Sequence, residues 1–121
     1  MKIYTFLEAP HFGERVVVEK MLETPFSKEI RICMAKGNIM RGHTAPGPIT
    51  IMVLEGCVTL TSNGDAADLE CGEMVCFDAH VPHSLEARTK SIIRLTLSKG
   101  DALKRVIDLV KTDGVLGKSV V

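Results

Sequence analysis

Gly42-His43-Thr44-Ala45-Pro46-Gly47-Pro48 runs directly into Ile49-Thr50-Ile51-Met52-Val53-Leu54-Glu55-Gly56, and a second segment, Gly72-Glu73-Met74-Val75-Cys76-Phe77-Asp78-Ala79-His80-Val81-Pro82-His83, follows sixteen positions later. Each segment couples a histidine to a strand-like apolar run, with glycine and proline punctuation around it. If the two runs lie side by side in one sheet, His43 and His83 converge, and any chemistry is expected there.

Working outward, the apolar pattern is that of strands. Residues 49–54 form a nearly continuous apolar run suited to a central strand. Glu55-Gly56 reads as a tight turn and 57–62 as the return strand. Asn63-Gly64 is a strong hairpin signal, because both residues tolerate positive φ. Short strands are expected near 66–70, 73–77 and 83–87, with a last one at 91–97. Upstream, 15–22 is β-branched and apolar. Residues 28–35 alternate, with Ile30, Ile32 and Met34 on one face, as in a half-buried strand. The stretch 36–48, with three glycines and two prolines, reads mostly as loop and turn.

Beyond residue 98 the period changes. Leu103, Val106, Ile107 and Val110 fall at i, i+3, i+4 and i+7, one face of a short helix over about 101–112. Ser98 or Asp101 is placed to cap its start and Gly114 its end. Many short strands joined by glycine turns, with one C-terminal helix, predict an all-β sandwich or barrel. With 121 residues and no linker or repeat, a single domain over 1–121 is expected, its barrel core at about 15–98.

Composition excludes several function classes. Fifteen Lys and Arg balance fifteen Asp and Glu, so no basic stripe marks a nucleic-acid or anionic membrane surface. No apolar run approaches the roughly 20 residues of a spanning helix, and the N-terminus lacks a secretory signal pattern. A cytoplasmic protein is the expectation. Cys33, Cys57, Cys71 and Cys76 form no CxxC pair and read as small hydrophobes. Met34, Met40, Met52 and Met74 read as adaptable packing. The chain carries no P-loop, dinucleotide fingerprint, HExxH helix or nucleophile elbow.

The two histidine segments resemble the motifs of the cupin superfamily, over roughly residues 30–98. Cupin motif one is a glycine, five residues, His-x-His, three or four residues, a Glu, six residues and a glycine. Gly37, His43 and Gly56 fit that frame. Motif two is a glycine, five residues, Pro-x-Gly, two residues, a His, three residues and an Asn, and Gly72 and His83 fit it. The resemblance implies a jelly-roll barrel, a double-stranded β-helix, that pairs as a homodimer. Metal-bearing cupins hold one divalent metal on the two motif-one histidines, the Glu and the motif-two His. Here the second histidine is replaced by Ala45, and the Glu position falls on Ile49 or Thr50. Asp78-Ala79-His80 stands for Pro-x-Gly and Ala87 for the Asn. Two of the four ligands are gone, and two histidines alone make a weak, open site. The metal candidates are therefore His43 and His83, with His80 a remote third that reads better as a turn residue of positive φ. A metal cofactor is less expected than none.

The predicted pocket is apolar, walled by Ile49, Ile51, Val53, Leu85 and Ala87, with His43 and His83 as its polar groups. Such a pocket suits a small, largely apolar ligand. Two readings stand beside binding: a metal-dependent enzyme of dioxygenase or isomerase type using His43 and His83, and a structural dimer module.

Overall fold

The computed structural model describes residues 1–99, His43 by its backbone only. The helix expected at 101–112 lies outside them. The strands are β1 (Val17–Glu23), β2 (Ser27–Met34), β3 (Ile39–His43), β4 (Ile49–Glu55), β5 (Cys57–Ser62), β6 (Asp65–Glu70), β7 (Met74–Phe77), β8 (His83–Ala87) and β9 (Ser91–Ser98). They form two sheets, β1-β2-β9-β4-β7 and β3-β8-β5-β6, and every neighbouring pair is antiparallel. The all-β expectation holds. Among the described residues no helix is long and apolar enough to cross a membrane.

Side chains that alternate inward from each strand stack in layers. The deepest row runs Ile32–Ile93–Val53 across the first sheet and faces Val58–Ala87 of the second. The next runs Ile30–Leu95–Ile51–Val75 and faces Met40–Leu85–Leu60. These residues join one apolar cluster that fills the space between the sheets. Each fully buried aliphatic chain here contributes roughly 1.5–3 kcal/mol. The third row, Lys28–Leu97–Ile49–Phe77, closes one end and forms the barrel mouth.

Two features depart from the sequence reading. Residues 36–48 are mostly loop and turn as expected, but a strand that the reading did not place, β3, occupies Ile39–His43 and pairs with β8. A bulge explains the missed signal. Met40 lies opposite Leu85 and His43 opposite His83, so three steps on β3 match two on β8 and the period of two is broken.

The second departure concerns β2, which is not half-buried: every residue from Glu29 to Met34 is buried. The N-terminal segment covers its outer face. Arg31, 3% exposed, donates to the carbonyls of Phe6, Glu8 and Ala9 and to Glu19 Oε1 at 2.9 Å. Glu29 beside it accepts from Ser27, Arg94 and Thr96. Polar residues at these positions are tolerated in the interior because both Glu29 oxygens and both terminal Arg31 nitrogens are paired, and the buried Arg31 Nε alone of these atoms lacks a hydrogen-bond partner among the described residues.

Turns are set as the residues suggest. Asn63 and Gly64 have φ of 48° and 84°. They close the β5–β6 hairpin. Gly56, φ 89°, joins β4 to β5 where a Cβ would strike the Lys90 carbonyl and the Ser91 hydroxyl. Only glycine fits that corner.

Candidate functional site at the barrel mouth

His83 opens β8 and is 3% exposed. Pro82 before it biases Val81 toward extended backbone. That geometry brings the Val81 carbonyl 3.1 Å from His83 Nδ1. A carbonyl only accepts, so the bond requires a proton on Nδ1. In the neutral ring Nε2 then carries the lone pair. The imidazole lies on the Phe77 ring with centroids 5.3 Å apart and planes 14° apart. This offset stack ties the two sheets together.

Position 43 is brought to His83 by the β3 bulge. Without the extra residue Gly42 would hold that register, since Met40 pairs with Leu85. The backbone thus sets the two motif histidines directly opposite each other, as the sequence reading expects.

His80 has φ 65°, the left-handed turn conformation expected for it, and its side chain is exposed. Its N–H donates to the Ala45 carbonyl at 2.8 Å, which fastens the motif-two turn to the loop after β3. Its contribution is therefore to loop placement.

The mouth is divided into two cavities. One, of about 210 Å³, is bordered by the 45–47 loop and by Lys28, Ile49 and Leu97. The other, of about 290 Å³, lies between β6 and β7 and is bordered by Leu60, Ala67, Val75 and Phe77. Ile49 borders the first cavity and Phe77 the second, and the two residues are cross-strand neighbours. Both cavities fall below the volume of common ligand pockets, about 300–1,000 Å³. Of the predicted wall residues, Ile49 borders the first cavity. Ile51, Val53, Leu85 and Ala87 lie beneath, at 2% exposure or less, and border neither. Sequence reasoning missed Phe77, Leu97 and Lys28 as mouth residues. Alternation with Val75, Leu95 and Ile30 was the signal that marks them inward.

The donor set does not fit a four-ligand cupin metal centre. Ala45 packs on the apolar cluster, and Ile49 is 2% exposed within it. Thr50, the alternative for the Glu position, lies on the opposite face, where it borders a small groove with Met52, Met74 and Arg94. Among the described residues no group of three His, Cys, Asp or Glu side chains is placed to hold a metal ion. The cysteines belong to no such group. Cys33 is fully buried, and burial pushes its thiol above the ordinary range.

Comparison with known proteins agrees with the barrel. The Cupin domain model matches residues 30–102. An RmlC-like cupin protein from Desulfovibrio desulfuricans is 24% identical, with a TM-score of 0.75 over 81% of this chain and 96% of that one. A Cupin 2 conserved barrel domain protein from Leptotrichia buccalis is 26% identical, with a TM-score of 0.68 over 76% of this chain and 45% of that one. A salicylate 1,2-dioxygenase from Pseudoaminobacter salicylatoxidans is 19% identical, with a TM-score of 0.66 over 77% of this chain and 27% of that one. The comparison with curated proteins finds no match. A family model spanning well over half of the sequence, on a barrel of this topology, makes the chain a member of the cupin family.

Proposed function

We propose that this cupin binds a small, largely apolar molecule at its barrel mouth and does so without a four-ligand metal centre. The observation that carries the reading is the row Leu97–Ile49–Phe77, which ends in a ring stacked on the buried His83. It offers an apolar floor, behind which His83 is buried under the Phe77 ring and borders neither cavity, and the filled layers below confine a ligand to the mouth. His43 and His83 are its polar groups in this reading, and Ile49 its floor. Ile51, Val53, Leu85 and Ala87 support it from beneath.

The test is a small-molecule screen by thermal shift, followed by titration calorimetry on His83→Gln. Saturable binding that weakens in the variant is expected. A chain that binds nothing across the screen, or whose variant binds as well as the parent, removes the reading and leaves a structural dimer module. A homodimer, implied by the family resemblance, belongs to the proposal and is read by sedimentation.

The backbone pairing of His43 with His83 favours a second reading, a metal-dependent enzyme. Elemental analysis of dialysed, untagged protein separates the two. Metal well below one per chain is expected. Near one Mn, Fe, Ni, Cu or Zn per chain, lost on His43→Ala or His83→Ala, would replace the first reading with the second.

A further inference from the structure

We infer that the molecule taken up at the mouth is a small carboxylate on an apolar body, its carboxylate held by Lys28 in the cavity beside the 45–47 loop. This deepens the binding reading above and rests on it. The cavity is mostly apolar in its depth, where Ile49 and Leu97 form the floor, and cationic at its rim, where Lys28 and Lys99 stand. Among the described residues no acidic side chain borders it.

The two lysines are differently engaged. Lys99 Nζ donates to Glu23 Oε2 at 2.8 Å and to the Thr24 carbonyl at 2.9 Å. Lys28 makes no ion pair among the described residues, although Glu23 is its cross-strand partner. Glu23 is occupied by Lys99 and, at 3.5 Å, by Lys20. Among the described residues, the three lysines around Glu23 leave a charge of three minus one, or plus two, on a chain whose total is zero. A cationic rim over an apolar floor draws in anions and rewards those with an apolar remainder.

The opposite wall is preformed. Pro46 and Pro48 fix φ on either side of Gly47. A Cβ on Gly47 would lie 2.9 Å from the Ser98 carbonyl, so the loop rests directly on the end of β9. Ala45 O accepts from His80 N–H and Pro48 O from Ser98 N–H, at 2.8 and 3.1 Å. A wall held at both ends costs little to order when a ligand enters. Lys28 presents a single ammonium, a point charge that matches one carboxylate, whereas bidentate clamping of phosphate is the work of arginine.

The experiment uses the whole chain and matched probes: butyrate, hexanoate and benzoate against their primary amides, titrated at low salt by two-dimensional amide NMR. The carboxylates are expected to bind on the order of tenfold tighter than the amides, from one charge-assisted contact. Shifts are expected at Lys28, Gly47 and Leu97. Lys28→Gln, a change at an exposed position, should remove most of the preference of acid over amide. Amides that match the acids, an acid affinity unmoved by Lys28→Gln, or shifts centred on Leu60 and Val75 would each overturn the assignment while the mouth-binding reading stands. No response to any acid, with neutral apolar compounds still binding, also overturns it. Silence from acids, amides and the wider screen removes both.

Discussion

Glu29→Gln should destabilise the protein at neutral pH and leave it less sensitive to acid. Glu29 is 5% exposed, and both oxygens are in use. Oε1 accepts from Arg94 Nε at 2.8 Å and Thr96 Oγ1 at 2.7 Å, and Oε2 from Ser27 Oγ at 2.6 Å. Burial pushes the carboxyl up, but the hydrogen bonds from Ser27, Thr96 and Arg94 together outweigh it and hold the group below its ordinary 4.5. Glutamine keeps the shape and loses the charge. Hydrogen bonds to a charged group exceed neutral ones by about 1 kcal/mol each, so three such bonds set an upper figure of roughly 3 kcal/mol. Arg94 is half exposed and regains water, which reduces the expected loss to about 2 kcal/mol. For a chain of this size that is a fall in Tm of roughly 8 °C.

The pH dependence has a definite sign. A carboxyl with a depressed folded pKa contributes stability that is fully present above its unfolded value and is lost as pH falls through the folded one. The gap between parent and variant should be complete at about pH 7, hold down to about pH 4.5, and close below that. Thermal melts of both proteins from about pH 7 to about pH 3 read it, and comparing the pair cancels the other carboxylates. A gap that stays constant through the acid range, or is absent at neutral pH, would show that the charge on Glu29 does no structural work.

Gly56→Ala should cost about 3 kcal/mol or more in urea unfolding, since its Cβ meets Lys90 and Ser91. Gly72 has the same φ of 89° but nothing within 4 Å of its Cβ position. Gly72→Ala should therefore lose only about 1 kcal/mol, and equal losses at the two glycines would contradict the packing at the Gly56 corner. Ile93 is fully buried between Ile32 and Val53, and Ile39 lies on the exposed side of β3. By the same denaturation assay Ile93→Ala should lose about 3 kcal/mol or more and Ile39→Ala under about 1 kcal/mol. A double-mutant cycle of Phe77→Leu and His83→Gln should return a coupling of about 1 kcal/mol. Zero coupling would deny the ring contact between the sheets.

Alternation carried most of the strand assignment. Ile30, Ile32 and Met34 read as one face from their spacing alone, and Asn63-Gly64 and His80 announced their backbone conformations. The bulge in β3 hid that strand, because an extra residue destroys the very period by which strands are found. Burial of Glu29 and Arg31 was equally illegible. It depends on the N-terminal segment lying across β2, a long-range contact that leaves no mark in the pattern of residues 28–35. The site was legible as a pair of histidines but not as a cavity. Alternation identifies which residues face inward, while whether they meet or leave a gap depends on side-chain volumes across two sheets. Ile51, Val53, Leu85 and Ala87 meet, and the open space lies one layer higher, at Ile49 and Phe77.

The strand order also sets when this chain can complete its structure. β9 is hydrogen-bonded to β2 on one side and β4 on the other, so the five-stranded sheet exists only as two separate hairpin-sized pieces until it arrives. As the chain is synthesised at roughly 5–20 residues per second, β1–β2 and β4–β7 must wait several seconds with unpaired edges and exposed apolar faces. A central strand made after all its neighbours turns folding into a single late event, and that interval is when the nascent protein most needs protection from other chains.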